Sequence, residues 1–312
     1  YDRVDFDLAD KRRPAAIVKD VYHNEAVTKQ FGLNYKVTEP IMLYANRAES
    51  FVPPTSSGTT AINTGRRFLN ERGLGYDAGV KLALFDGRLN ATIGLFCIDR
   101  RNVRVTELEI VPVLDSQGRP VLNPATGQPQ TTVTNVPLSS GLERSKGWEI
   151  DFNWKLTSDL QAFGGYGFAD SYIIDAGRDL DAAGRPPRSV PRHKGGAGLR
   201  YALPASVLKG ITLTLGATYT GEAFFQSPLS GGLVGADGYI REHNGRRNVM
   251  SPGYTVWNAG IVYRVRSPAS AGTRLAHRLQ LNAKNLFDLK HINSRVRAAP
   301  RLTLIGGYSL TF

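Results

Sequence analysis

Five histidines, one cysteine and a few serines are the residues of this 312-residue chain best suited to chemistry, and their spacing assembles none. His23, His193, His243, His277 and His291 contain no HExxH and no i,i+4 pair, the arrangements that set two imidazoles on one helix face around a metal. Each falls in or beside a stretch that reads as a loop, where a solvated imidazole is the ordinary state. Cys97 has no thiol partner, so neither a disulfide nor a cysteine-based metal site forms within the chain. Ser145 and Ser171 have no base assignable from the sequence. GGYGFAD (164–170) carries part of a dinucleotide fingerprint, but it sits inside a strand pattern instead of between strand and helix. Gly164, Gly165 and Gly167 read instead as strand glycines beside a crowded interior. Asn90-Ala91-Thr92, a formal glycosylation acceptor, is mid-strand too. The expectation is a protein that binds, not an enzyme.

The elements that would position a binding site are strands. In GWEIDFNWKLT, Trp148, Ile150, Phe152, Trp154 and Leu156 alternate with polar residues, and Ile211, Leu213, Leu215, Ala217 and Tyr219 do so in ITLTLGATYT. Residues 76–84, 89–95, 278–284 and 301–312 repeat the pattern. Period-two runs of this kind predict antiparallel strands with one apolar and one wet face. Hydrophobic content of 41% excludes wholesale disorder, and no run reaches the ~18 apolar residues of a spanning helix. A net charge of +12 raises nucleic acid as a partner, but the basic pairs Arg12-Arg13, Arg66-Arg67, Arg100-Arg101 and Arg246-Arg247 are scattered in or beside loop-like stretches. A basic rim around an anion-collecting mouth fits better than a nucleic-acid surface. The chain opens on Tyr1 inside a strand-like pattern, without a signal peptide, which reads as the continuation of something longer.

The connections alternate in length. Thr38-Glu39-Pro40, Asp86-Gly87-Arg88 and Thr157-Ser158-Asp159 read as tight turns, and Asp-Gly between alternating runs is a strong hairpin signal. Between them lie long Pro/Gly-rich connections at about 10–28, 52–73, 108–144, 176–192, 222–252 and 286–299. Loops beyond ~15 residues are uncommon in compact domains. Short turns at one end and long loops at the other describe an all-β, antiparallel transmembrane β-barrel meander, and the runs number about twelve. Tyr35, Tyr44, Trp148, Trp154, Tyr219, Trp257, Tyr263 and Tyr308 sit towards strand ends, as interfacial girdles require.

Residues 76–103 (YDAGVKLALFDGRLNATIGLFCIDRRNV) and 144–171 (RSKGWEIDFNWKLTSDLQAFGGYGFADS) resemble the barrel of TonB-dependent outer-membrane receptors, especially the ferric-siderophore branch. VPRHKGGAGLRYAL (190–203), NAKNLFDLKH (282–291) and the terminal strand continue the resemblance in order. It implies the last twelve strands of a 22-stranded barrel across residues 1–312, with no counterpart here of the plug domain or the first strands. It further implies a Gram-negative outer-membrane location and active import of a ferric siderophore, energised through the TonB complex acting on the plug. Iron arrives already chelated, so no cofactor and no protein ligand set is expected. Aromatic faces and cations suit a bulky anionic chelate. The candidates are Tyr22, Tyr44, Arg47, Phe51, Arg66, Arg67, Phe224, Phe225, Tyr239, Arg241, Arg246 and Arg247, with loop packing or lipopolysaccharide contact as their bland alternative.

The family's terminal strand also implies a signal read by the barrel assembly machinery, carried here by Tyr308, Leu310 and Phe312. Outer-membrane lipid and lipopolysaccharide complete the expected partners, without nucleic acid. Two other architectures stay open: a complete twelve-stranded barrel acting as translocator or hydrolase, and a soluble carbohydrate-binding β-sandwich. A hydrolase needs a serine and a histidine meeting on the outer wall, and a translocator needs a helix before its first strand. A sandwich needs a second layer to cover the apolar faces.

Overall fold

Alternation at every second residue turns this chain into strands, and the computed structural model follows it through residues 2–6, 22–53, 69–115, 117–177, 180, 182–187, 189–226, 233–234, 240–242, 249–266, 275–292 and 298–311, the ones it describes. In chain order the elements begin with β1 (Asp2–Phe6), β2 (Tyr22–Ala26), β3 (Gln30–Thr38), β4 (Ile41–Val52), β5 (Glu71–Leu84), β6 (Leu89–Pro112), β7 (Thr131–Lys155), β8 (Leu160–Asp175) and β9 (His193–Ala202). A single helical turn, α1 (Ala205–Leu208), precedes β10 (Ile211–Thr220), β11 (Ala223–Gln226), β12 (Leu233–Val234), β13 (Ile240–Glu242) and β14 (Val249–Ser251). The chain continues as β15 (Tyr254–Arg266), β16 (Ala276–Lys284) and β17 (Thr303–Thr311).

Eleven strands form one sheet in the order β17-β16-β15-β10-β9-β8-β7-β6-β5-β4-β3, each paired antiparallel with its neighbours along the meander. The pairs β11–β14 and β12–β13 stand apart from it, within the connection 221–253. The expected count of about twelve becomes eleven in the continuous sheet. β1 pairs with β2 in a separate ribbon, and only residues 27–29 lie between β2 and β3.

Short turns and long connections fall at opposite ends. At Asp86-Gly87 both residues have positive φ (54° and 76°) and Arg88 N–H donates to the Phe85 carbonyl, the type I′ geometry that matches strand twist. The Thr157 hydroxyl accepts from the N–H groups of Asp159 (3.2 Å) and Leu160 (3.0 Å), closing the β7–β8 turn with a side chain. One expected loop is corrected. Most of 108–144 is ladder, because β6 and β7 stay paired out to Pro112↔Thr131, past a bulge at Asn102 (φ 58°). The threonines and valines of 103–113 and 131–136 favour extended backbone, and the hairpin climbs beyond the rest of the sheet.

No apolar core exists among the described residues. Their buried hydrophobic side chains are Ala26, Ala176, Ala223 and Phe224, whereas Leu95 and Leu304 are each 63% exposed. The register explains this. On one face Leu43, Val80, Ile93 and Ile150 line up across β4–β7, and Leu215, Ala259, Ala283 and Leu304 across β10–β17. On the other face Met42, Lys81, Thr92, Asp151, Gly165, Gly196 and Thr218 line up in the same way. The polar face curls inward. A cavity of about 1300 Å³ is lined by residues of all eleven strands, from Lys36 on β3 to Ile305 on β17.

Aromatic residues mark two heights on the outer face. Trp154, Tyr201, Tyr263 and Tyr308 are near the short turns, and Phe85 stacks on Trp154 (centroids 6.5 Å). Trp148 and Trp257 are six residues further along their strands from Trp154 and Tyr263, roughly 20 Å at strand rise. An apolar band between two aromatic girdles is the dimension a bilayer imposes.

Candidate functional site

The inner wall is organised around Tyr44. Its cross-strand row reads Asn34, Tyr44, Gly79, Gly94, Glu149, Gly167, Lys194 from β3 to β9. The phenol ring lies down along the wall. A Cβ on Gly79 would be 2.8 Å from Tyr44 Oη, and one on Gly94 2.7 Å from it, so only glycine leaves the ring room. Lys81 Nζ stands 5.3 Å from the ring centroid, close enough for a cation–π contact. Asn46 Nδ2 donates to Asp77 Oδ2 (3.1 Å) one row nearer the mouth. An aromatic face, a cation and carboxylates thus share one stretch of lumenal wall.

At the mouth, Arg100 is held by two carboxylates of the same wall, Nη1 to Glu143 Oε2 (2.7 Å) and Nη2 to Glu71 Oε2 (2.9 Å). Beside it the hydroxyls of Ser145 and Ser171 hydrogen-bond each other at 2.8 Å, which gives both serines a structural partner. Arg100-Arg101, expected in or beside a loop-like stretch, belongs to β6. Successive strand residues point to opposite faces, so Arg100 faces in and Arg101 out. His193 and His277, expected in or beside loops, stand beside them as the first residue of β9 and the second of β16, on the outer face. His193 Nδ1 meets Tyr166 Oη (2.5 Å) and His277 Nδ1 meets Tyr308 Oη (2.9 Å).

The candidate ligand residues do not share one surface. Tyr44 faces the lumen, not the lipid girdle where it was also expected. Arg47 and Phe51 follow Leu43 and Ala45 on the outer face, and β4 pairs with β5 without a register break. Arg47 Nη2 bonds Glu49 Oε1 (2.6 Å) and its guanidinium lies 5.9 Å from the Tyr76 ring centroid. Phe224 is 5% exposed, and its carbonyl accepts from Ser189 N–H (2.7 Å), tying connection 176–192 to 221–253. Tyr22, Phe225 and Arg241 have their backbones in β2, β11 and β13, but their side chains lie outside the description. Arg66, Arg67, Tyr239, Arg246, Arg247 and Phe312 lie outside the described residues. Tyr308 and Leu310 are on the outer face of β17.

Sequence reasoning missed the clamp that closes connection 285–302. Asn285, 4% exposed with φ 52°, donates from Nδ2 to the carbonyls of Leu289 (2.9 Å) and Pro300 (3.1 Å) and accepts Leu289 N–H at Oδ1 (2.8 Å). Asp288 takes Leu302 N–H (2.9 Å) and the Nε of Arg301 (2.6 Å), which holds its carboxyl down at about 2. The segment NAKNLFDLKH was noticed, but only as a resemblance; an Asn–Asp spacing of three before a long loop is the signal that could have been read. Among the described residues, no group of three His, Cys, Asp or Glu side chains is placed to hold a metal ion, and no helix is long and apolar enough to cross a membrane.

A sheet apolar outside, polar inside and curled round a cavity is the wall of a transmembrane β-barrel of the outer membrane. The chain belongs to the TonB-dependent receptor family, whose β-barrel model matches residues 1–286. It is 29% identical over 267 residues to the metal-pseudopaline receptor CntO of Pseudomonas aeruginosa, covering 85% of this chain and 30% of CntO. To the ferric-pyoverdine receptor PbuA of a Pseudomonas species it is 24% identical, over 86% of this chain and 27% of PbuA. The solved siderophore receptor PiuA of Acinetobacter baumannii superposes with a TM-score of 0.60 at 22% identity, covering 99% of this chain and 38% of PiuA. The ferric citrate transporter FecA gives 0.62 at 20% identity, over 95% and 40% of the two chains. The chain spans about a third of the length of the curated relatives it matches.

Proposed function

We propose that this protein is an outer-membrane receptor that takes up a ferric siderophore, driven through the TonB complex. One observation carries the reading: every main-sheet strand turns an apolar face outward and a polar face toward one shared cavity, as a conduit through lipid requires. The family is made up of transport receptors, not enzymes, and the proposed cycle contains no catalytic step. Iron enters as chelated cargo, so the protein's part is to cover the organic scaffold and offset its charge. On the inner wall Tyr44 and Lys81 are suited to that, and the basic and aromatic residues of the long connections are candidates for the mouth. Contact with TonB would run through a plug inside the barrel. Tyr308 and Leu310, with Phe312 after them, are the proposed signal to the assembly machinery.

Uptake tests the proposal. Iron-starved bacteria with the gene deleted should lose accumulation of radioactive iron from at least one siderophore of a broad panel, and removing TonB should produce the same loss. Unchanged uptake of every chelate overturns it. A chelate of another metal is the second reading, motivated by the similarity to the metal-pseudopaline receptor. Competition between ferric and non-ferric chelates for the same uptake separates the two.

A further inference from the structure

We propose that the lumenal face of β15–β17, at the short-turn end of the wall, holds an anionic ferric chelate on its way out of the barrel. Two arginines make the site. Arg264 on β15 and Arg278 on β16 are direct cross-strand partners, both exposed and both on the inner face. Like charges set opposite each other destabilise a strand pair, and an anion between them removes the cost. The wall itself supplies no such anion. Arg264 is flanked on its other side by Gly210, whose carbonyl accepts the Arg264 N–H (2.8 Å), and Arg278 by Ser309. Neither arginine is ion-paired among the described residues, and positions 243–287 of the sequence contain no aspartate or glutamate.

The surroundings add donors and room. Ser309 brings a hydroxyl beside Arg278, and one row above it Gln280 lies over Gly307, where an added Cβ would stand 3.0 Å from Gln280 Nε2. On the outer face at this height stand Tyr263, Leu279 and Tyr308. The arginines therefore point away from lipid and into the lumen, which suits a lumenal ligand and not a lipid headgroup. Lys155 on β7 and Arg200 on β9 continue the basic rim, with Gln161 between them and with Trp154 and Tyr201 as their outward neighbours. Toward the long connections the inner wall changes sign, and Glu71, Asp77, Glu143 and Glu149 outnumber Arg100 and Lys194. Short turns mark the periplasmic end of an outer-membrane barrel, so an anion released from the mouth gains favourable potential as it descends. The inference rests on the uptake reading above and adds to it the charge of the cargo and a second holding point far from the mouth.

The test is equilibrium dialysis of the full-length receptor, purified from outer membranes in detergent, against two radioactive iron probes. One is the trianionic ferric tris-catecholate, and the other the neutral ferric tris-acetohydroxamate of the same octahedral build. The unaltered receptor should bind an equivalent of the trianion that the neutral probe does not occupy. The double variant Arg264→Gln, Arg278→Gln should weaken that equivalent at least about tenfold, the cost of one lost charge-assisted hydrogen bond, and leave trianion bound at the mouth unchanged. Arg264→Lys with Arg278→Lys keeps both charges and should retain most of the binding. Heat-modifiable migration reports that each variant is folded. Undiminished binding by the folded glutamine variant, or equal isotherms for the two probes, overturns the proposal. Equal loss in the lysine variant does so too, since it would make the arginines structural, and full displacement by inorganic phosphate would make this a site for the free ion. Trianion binding with unchanged uptake after gene deletion would overturn the import reading and the exit role together, whereas uptake without the rim equivalent overturns this site alone.

Discussion

Thr92 and Ile93 are neighbours on β6 and belong to different worlds. Thr92 faces the cavity between Lys81 and Asp151, and Ile93 faces outward between Val80 and Ile150. The same contrast holds on every strand of the sheet. On the outer wall stability comes from keeping charge out, because lipid offers a buried cation nothing to pair with. On the inner wall water and facing polar groups satisfy almost any side chain, and the limit is space. The two walls should therefore fail for different reasons: one by chemistry, the other by sterics.

The largest expected effect follows from this. Ile93→Arg, placed between the two girdles, should cost about 2–4 kcal/mol of stability in a bilayer, as arginine does near the midplane of such barrels. Thr92→Arg should stay within about 0.5 kcal/mol. Urea midpoints of the protein refolded into liposomes measure both. Equal losses would mean that the inner and outer assignments fail at this strand.

A smaller effect separates glycines that provide space from those that merely tolerate it. A Cβ on Gly147 would run into the carbonyl of Phe168 on the adjacent strand and meet the Phe96 ring at 2.9 Å. A Cβ on Gly167, one strand away on the same inner face, would find its nearest neighbour, the Lys194 carbonyl, at 4.0 Å. Gly147→Ala is expected to cost about 1–3 kcal/mol, the usual range for overpacking. Gly167→Ala should lie within about 0.5 kcal/mol of the unaltered protein in the same urea titration. A costly Gly167→Ala with a silent Gly147→Ala would reverse the spatial account of this wall.

The outer wall was largely legible in the sequence, and the inner wall was not. Period-two runs such as Trp148–Trp154 locate a strand and its apolar face directly, because lipid demands the same property at every outward position. The tight turns were equally readable, since Asp86-Gly87 announces a backbone that few other pairs adopt. Polar faces carry no such uniform demand. Nothing in the local pattern says that Tyr44 lies along Gly79 and Gly94, which are far away in sequence and adjacent only through register. Arg47 and Phe51 looked like mouth residues for the same reason. Their types suited a chelate, and their parity, counted from Leu43, puts them outside. The reading of 108–144 as loop gave weight to its prolines, glycines and polar residues over the alternating valines and threonines that pair as a hairpin.

Beyond the membrane the distinction between the walls ends, and connection 285–302 shows what replaces it. Neither lipid nor a lumen orders its described residues; their own polar side chains do, together with Asn258 Oδ1 and the Trp257 carbonyl of β15, which accept the Asn285 and Leu286 N–H groups. Asp288 receives Arg301 and the Leu302 N–H at the point where the chain re-enters β17, and these bonds lower its carboxyl from 3.8 to about 2. A depressed carboxyl contributes stability that is fully present above its ordinary value and is lost as pH falls through the folded value. The clamp should therefore persist while ordinary surface carboxylates protonate around pH 4 and open only as pH falls toward about 2. Both partners are open to solvent, so the effect is local and the smallest of the three. Hydrogen exchange at the Leu302 amide, followed from neutral pH downward and corrected for intrinsic rates, reads it directly. Asp288→Asn should raise that exchange at neutral pH and remove the acid step, leaving the β16–β17 ladder protected. Protection of Leu302 lost already near pH 4, or unaltered in Asp288→Asn, would mean that backbone packing and not the carboxylate closes the connection.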